Sequence, residues 1–377
     1  MKTLKMPRLH IGDLEIKVPI IQGGMGVGIS LSGLASAVAN EGGVGVISSV
    51  GVGMQEPGFF NNKINCNKES LRKEIRKARA HSNGLIGVNV MVAVTDFDDM
   101  VKVALEEEAD IIFLGAGLPL KAPKGLSLEY LKSMKTKVIP IVSSARAVKV
   151  IFGYWDKNYN HVPDAVVVEG PMAGGHLGFK LEQIDDPSFK LEVLVPEVCK
   201  EIKRFERQYS KRIPVIAAGG IYDGEDIYKF LSLGASGVQM GTRFVATHEC
   251  DAHLEFKTRY VDCAKEEIEI IHSPVGLPGR AIISNFLEDV MAGKKKPFNC
   301  PLQCLKTCNI KKSPYCIAEA LMNAKNGLVE KGFAFAGANV HRITRITSVK
   351  ELMNELIGGF EAAATSMIER QKICLNN

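Results

Sequence analysis

The amino-acid sequence predicts an α/β protein: a (β/α)8 barrel, or TIM barrel, with an appended C-terminal lid and helical segment. Two observations lead to this prediction. Eight short apolar runs occur in the first 250 residues, and segments with helical spacing of apolar positions separate them. Glycines or polar side chains directly follow several runs, as they do in the loops at the carboxyl ends of barrel strands.

The predicted strands are short and rich in branched apolar residues, which is typical of buried parallel strands. They are Pro19–Gln22, Val44–Ser48, Ile86–Val90, Ile111–Leu114, Val138–Val142, Ala165–Glu169, Pro214–Ala217 and Gly237–Met240. The helices predicted between them are Leu31–Asn40, Ser70–His81, Asp96–Glu107, Leu126–Lys135, Ala145–Tyr154, Val193–Tyr209 and Glu225–Leu233. We expect a barrel over residues 1–250, a lid segment with a cysteine cluster over 251–345, and a C-terminal helix packing on the barrel over 346–377.

A doubly wound dinucleotide-binding fold is the structural alternative, because a glycine-rich segment follows the first predicted strand. Its spacing does not fit G-x-G-x-x-G, since Gly24 and Gly26 are followed by Ile29 where the last glycine belongs. The second strand also ends without the acidic residue that would bind a ribose. Both mismatches favour the barrel.

Composition excludes several classes of protein. Hydrophobic residues make up 46% and charged residues 24%, which is ordinary for a globular enzyme. No apolar run is long enough to cross a bilayer, and the first residues lack the apolar core of a secretory signal, so we expect a cytoplasmic protein without a membrane partner. The net charge of +5 is spread along the chain without interleaved aromatic residues, which argues against nucleic acid.

The stretch of residues 166–179 is the strongest candidate for an active-site loop. A run of three valines ends in a loop that contains Gly174, Gly175 and Gly178, which leave room for a ligand to approach the backbone. His176 lies among them, and an imidazole has an ordinary pKa near neutrality, so it is the candidate catalytic residue. The alternative, a histidine that only satisfies loop backbone groups, stays open.

Two further loops are candidates for a phosphate site. Gly219 and Gly220 follow the seventh predicted strand, and Gly241 and Thr242 follow the eighth. In barrels of this type these two loops bind phosphate through backbone N–H groups, so we expect a phosphorylated cofactor. The alternative is that these glycines serve only tight turns.

The appended segment contains a proline- and glycine-rich stretch, Ser273–Asn285, which we interpret as a lid. Four cysteines follow with the spacing C-x3-C-x3-C-x7-C: Cys300, Cys304, Cys308 and Cys316. They are candidate ligands of an iron–sulfur cluster or zinc, although the spacing is that of neither usual motif, and buried or redox-active thiols are the alternative. The run Lys294–Lys296 is either a solvated loop or a contact for an acidic partner.

The motifs together resemble the FMN-dependent nitronate monooxygenases, formerly called 2-nitropropane dioxygenases, and the related flavin enoyl-[acyl-carrier-protein] reductases. The residues that carry the resemblance are Pro19–Met25, Gly87–Val90, Ala173–Gly178, Ala217–Ile221 and Val238–Phe244. The resemblance implies that FMN binds with its phosphate near Gly219, Gly220, Gly241 and Thr242, with Gln239 and Met240 on the same rim. It also implies that Gly24, Met25 and Asn89 lie near the isoalloxazine ring.

The first hypothesis for function is oxidation of alkyl nitronates with O2 to carbonyl compounds and nitrite. His176 would then act as a base for a nitroalkane or as an electrostatic partner for a nitronate. The alternative is an NAD(P)H-dependent enoyl-[acyl-carrier-protein] reductase of fatty acid synthesis, acting on an enoyl thioester. A third alternative is a flavin-binding redox sensor without turnover. A homodimer stays open as the oligomeric state.

Overall fold

The computed structural model describes residues 5–122, 133–295, 300, 302–306 and 308–375, with side chains described to residue 369. Positions 126–132 of the predicted helix Leu126–Lys135 lie outside the described residues, as does Lys296 of the cationic run.

The fold is a closed barrel of eight parallel strands, which confirms the predicted fold class. An antiparallel hairpin of β1 (Leu9–Ile11) and β2 (Leu14–Ile16) precedes it. The barrel strands in chain order are β3 (Ile20–Gln22), β4 (Val44–Ser48), β5 (Leu85–Met91), β6 (Ile111–Gly115), β7 (Lys137–Val142), β8 (Val166–Glu169), β10 (Val215–Ala218) and β11 (Gly237–Met240). The barrel closes because β11 pairs with β3 and β10 pairs with both β8 and β11.

Alternation along each strand divides the apolar residues between two cores. Val167 and Ile216 face the barrel interior, where Leu9 and Ile11 of the hairpin also pack. Val166, with other outward-facing strand residues, packs against the helices in the larger core. The interior is thus filled with side chains, which confines a ligand site to the end of the barrel.

The described α-helices surround the barrel and continue beyond it. They are α1 (Ser32–Asn40), α2 (Lys63–His81), α3 (Phe97–Glu106), α4 (Ala145–Tyr159), α5 (Leu181–Ile184), α6 (Leu191–Tyr209), α7 (Gly224–Ser232), α8 (Thr242–Val245), α9 (Leu254–Val261), α10 (Asn285–Met291), α11 (Ile317–Lys325) and α12 (Val349–Leu375). Helix α12 packs against α7 and α1. Across the described residues, none of the helices combines the length and the apolar character that a membrane span requires.

A small antiparallel sheet connects the appended segment to the barrel. It contains β12 (Ile268–His272), β13 (Pro278–Ile282) and β14 (Ala334–Phe335), and β13 also pairs with β9 (Gly175–His176). The two residues of β9 belong to the loop after β8. The histidine loop of the barrel is therefore a strand of the appended sheet.

Candidate active site

A cavity of about 340 Å³ lies at the carboxyl ends of the barrel strands. All twelve site residues predicted from the sequence line it: Gly24, Met25, Asn89, Gly174, Gly175, His176, Gly219, Gly220, Gln239, Met240, Gly241 and Thr242. Five separate segments of the chain, at or just after the carboxyl ends of barrel strands, supply these residues. The structure thus brings together, in one cavity, motifs that are far apart in the sequence.

The loop after β3 passes very close to the end of β5. A Cβ atom on Gly24 would lie 2.3 Å from the Cβ atom of Asn89, so a side chain at this position would collide with its neighbour. Ser30 fixes the loop, because its Oγ accepts a hydrogen bond of 2.8 Å from the Met25 N–H and its N–H donates to the Met25 carbonyl at 3.0 Å. The backbone of residues 24 and 25 therefore borders the cavity directly.

Two buried amides face this cavity with unused hydrogen-bonding capacity. Asn89 and Gln239 are each 9% exposed, and within the described part of the chain their side chains form no hydrogen bond. A buried amide without a partner is costly, so a bound polar ligand would stabilise both. The polar edge of a flavin ring offers donors and acceptors of this kind.

The two glycine loops after β10 and β11 form the other end of the cavity. Gly219 and Gly220 have φ of +90° and +89°, a conformation that favours glycine. The appended segment holds both loops: the Gly337 N–H donates to Thr242 Oγ1 at 2.9 Å, and Asn339 Nδ2 donates to the Gly220 carbonyl at 2.6 Å. Exposed backbone and a hydroxyl at the start of α8 fit a phosphate group.

An arginine side chain lies at the same end of the cavity as the two glycine loops. Arg243 is 9% exposed, lines the cavity and stacks on the ring of Tyr222 with 4.4 Å between the guanidinium carbon and the ring centroid. It donates to the Tyr222 carbonyl at 3.1 Å and to Glu355 at 2.9 Å. Its positive charge favours the binding of a phosphate at this end of the cavity. Arg243 belongs to the motif Val238–Phe244, but it was not predicted as a site residue.

His176 is held by residues outside the barrel. Its Nε2 atom lies 2.7 Å from Ser273 Oγ, and its ring contacts that of Phe335 edge to face with centroids 5.0 Å apart. Burial lowers the pKa of His176 to about 4. The expectation that this imidazole titrates near neutrality is therefore wrong, and the side chain is uncharged at pH 7.

Glu169, at the end of β8, is the residue that titrates near neutrality. It lines the cavity, and burial raises its pKa to about 7. Its carboxyl group forms no hydrogen bond or ion pair with other described residues, so it can exchange a proton with a ligand. Glu169 was not among the residues predicted from the sequence. An acidic residue at the carboxyl end of a predicted barrel strand is nevertheless a signal for an active-site residue.

A buried arginine fixes the histidine loop. Arg280 of β13 is 8% exposed and donates to the carbonyls of Pro171 and Ala173, the latter at 2.9 Å. Gly174 packs so closely that an added Cβ would lie 2.5 Å from the Ala336 carbonyl carbon. The appended segment therefore sets the position of His176, and nothing local in the sequence indicates this.

The four clustered cysteines lie beside this site and line a second cavity of about 290 Å³. In the described ranges, no three His, Cys, Asp or Glu side chains are arranged to hold a metal ion. The zinc alternative at the cysteines therefore gains no support from the described residues.

Comparison with known proteins gives a consistent result. The family model described as Nitronate monooxygenase matches residues 8–109 and 65–359. A "Probable nitronate monooxygenase" of Bacillus subtilis is 26% identical over 358 residues, covering 90% of this chain and 94% of the relative. A "(3aS,4S,5R,7aS)-5-hydroxy-7a-methyl-1-oxo-octahydro-1H-indene-4-carboxyl-CoA dehydrogenase" of Mycobacterium tuberculosis is 28% identical over 282 residues, covering 75% of this chain and 68% of the relative. Among solved structures, FabK from Thermotoga maritima has a TM-score of 0.72 and 29% identity, covering 94% of this chain and 96% of that chain.

Proposed function

Because the chain belongs to the nitronate monooxygenase family, we propose that it oxidises alkyl nitronates with O2 to carbonyl compounds and nitrite, using FMN. The observation that carries the proposal is the convergence of the glycine-rich motifs and His176 on one cavity. A flavin supplies the redox chemistry by accepting electrons from the substrate and passing them to O2. The protein contributes binding, orientation and proton transfer.

In this proposal FMN would be held at both ends. Gly219, Gly220, Gly241 and Thr242 would hold its phosphate, with Arg243 adding positive charge and with Gln239 and Met240 along the same rim. Gly24, Met25 and Asn89 would border the ring, to which the unpartnered amide of Asn89 is available.

Glu169 is the proposed base, and His176 contributes hydrogen bonds. His176 is neutral at pH 7, so one ring nitrogen donates a hydrogen bond and the other accepts one. A group whose pKa is about 4 is a weak base, whereas Glu169, with a pKa of about 7, is ionised above that pH and can remove the acidic proton of a nitroalkane. A nitronate has already lost this proton, and its negative charge is better accommodated when Glu169 is protonated.

A second candidate function is reduction of an enoyl thioester with NAD(P)H. One part of the cavity is apolar, with Phe59, Val94, Leu302, Ile317 and Leu321 in its lining, which suits an acyl chain. The relative from Mycobacterium tuberculosis is named a carboxyl-CoA dehydrogenase, which also supports a thioester substrate.

Anaerobic rapid mixing distinguishes the two functions. The yellow holoprotein is mixed in separate experiments with a preformed alkyl nitronate and with NADH, and the flavin absorbance is followed. Fast bleaching by the nitronate, with NADH inert, is expected for the monooxygenase. Fast bleaching by NADH alone would reject it and make enoyl thioesters the next substrates to test. None of the proposed steps uses the four cysteines.

A further inference from the structure

The four clustered cysteines share one cavity. Cys300, Cys304, Cys308 and Cys316 all line the second cavity, whose volume is about 290 Å³. Its other lining residues are Thr95, Gln303, Leu305, Lys306, Ile310 and Ile317, so the four thiols are its only soft metal ligands among the described residues. The four cysteines that are clustered in the sequence therefore also lie together in the fold. Thiols that were merely buried in separate places would not share one cavity.

One backbone group donates to a sulfur atom of the cluster. The Leu302 N–H donates to Cys300 Sγ at 3.4 Å. Cys316 immediately precedes α11. Such N–H to sulfur hydrogen bonds stabilise negative charge on thiolates and are a feature of iron–sulfur sites.

The ligand set favours a cluster over a single ion. In a four-iron cluster each cysteine binds a different iron atom. A cavity of about 290 Å³ also far exceeds the space that one ion needs, and an all-thiolate ligand set selects soft metals and iron–sulfur clusters.

We propose that Cys300, Cys304, Cys308 and Cys316 bind a [4Fe–4S] cluster beside the flavin cavity. Thr95, Cys304, Leu305 and Ile317 line both cavities. The cluster would therefore form part of the wall of the flavin site. This site is independent of the substrate that the flavin oxidises or reduces.

The test is chemical analysis of the full chain purified without oxygen and, in parallel, after anaerobic reconstitution with iron and sulfide. We expect about four iron and four acid-labile sulfide per chain, and an electron paramagnetic resonance signal after reduction with dithionite. Absence of iron and sulfide in both preparations, zinc in their place, or disulfides between these cysteines would overturn the proposal. The analysis needs no substrate, so failure of the nitronate assay leaves its result intact.

Variants then test the ligand set. Cys304→Ser and Cys308→Ser should each lose most of the iron while retaining FMN, which reports that the barrel is folded. Cys66→Ser is the matched control, because Cys66 packs against the same small apolar core without lining the cavity. Equal iron loss in the control would overturn the assigned ligands. If a cysteine variant does not fold, the iron and sulfide content of the wild type still decides.

Discussion

The Nε2 atom of His176 lies 2.7 Å from the Oγ atom of Ser273, although the two residues are 97 positions apart in the chain. Ser273 follows β12 in the appended sheet, and its Oγ also accepts a weak hydrogen bond of 3.4 Å from the Val275 N–H. This contact engages one ring nitrogen of His176, whose side chain lines the cavity. A residue outside the barrel thus orients the candidate catalytic side chain.

Replacement of Ser273 by alanine should reduce turnover without loss of cofactor. The imidazole would lose its only hydrogen bond among the described residues while keeping its contact with Phe335. Loss of an orienting partner typically costs about 10-fold to 100-fold in activity, so we expect kcat to fall in that range with FMN content unchanged. Ser232→Ala is the control, since that hydroxyl bonds only within its own helix, to the Tyr228 carbonyl. Wild-type kcat in Ser273→Ala would show that the hydrogen bond does not orient the imidazole.

His176→Asn should affect neutral and ionised substrates to a similar extent. Asparagine retains hydrogen-bonding groups but accepts no proton. Because Glu169 is the proposed base, turnover of neutral nitroalkanes and of preformed nitronates should fall by similar factors. Steady-state rates with both forms of one compound measure this ratio. A loss about 100-fold larger with the neutral form would assign proton removal to His176 instead.

Glu169 should give opposite pH dependences with the two substrate forms. Burial raises its pKa to about 7, so the carboxyl is protonated below that pH and ionised above it. With a neutral nitroalkane kcat/KM should rise as the pH passes upward through 7, because the carboxylate is the base. With a preformed nitronate it should fall over the same interval, because the carboxylate repels the anion.

Glu169→Gln removes the titration and is the check on that assignment. Glutamine is neutral at every pH, so the nitronate profile should become flat near pH 7 and the nitroalkane rate should stay low. The dissociation pKa of the nitroalkane itself must be measured and allowed for. If the variant keeps both inflections, they belong to another group or to the substrate.

The fold could be predicted closely because its signals are local. Each barrel strand contains an apolar run, and β4 was predicted to the residue, as Val44–Ser48. The start of α2 was missed, since the helix begins at Lys63 and the prediction began at Ser70. Its first residues are mainly polar, so apolar periodicity gave no signal there.

The site could be predicted only in part. The loops that follow barrel strands must meet at one end, which predicted a common location for the glycine loops and His176, and the family resemblance added Gly24, Met25, Asn89, Gln239 and Met240 to the same cavity. The contacts that fix the histidine loop come from another part of the chain, for example Arg280 and the Ala173 carbonyl, which are 107 positions apart. The lowered pKa of His176 and the raised pKa of Glu169 both depend on burial, which the sequence does not give.

The proposed phosphate site yields the last prediction. Gly241→Asp should abolish binding of FMN, because it would put a carboxylate beside the phosphate. We expect the affinity for FMN to fall at least about 100-fold, which corresponds to about 3 kcal/mol. The backbone tolerates a side chain here, since an added Cβ would meet only Met25 Sδ at 3.4 Å, an ordinary van der Waals distance. The loss of FMN affinity should therefore come mainly from charge repulsion and not from steric strain.

Two controls separate charge from size and from folding. Gly241→Asn has nearly the same volume without the charge and should keep clearly more FMN than Gly241→Asp. Gly358→Asp places the same charge on an exposed position of α12, where no atom lies within 4 Å of an added Cβ, and should remain fully yellow. FMN content and flavin fluorescence titration measure all three. Full FMN content in Gly241→Asp would refute the phosphate site, and equal loss in the aspartate and asparagine variants would assign the effect to size.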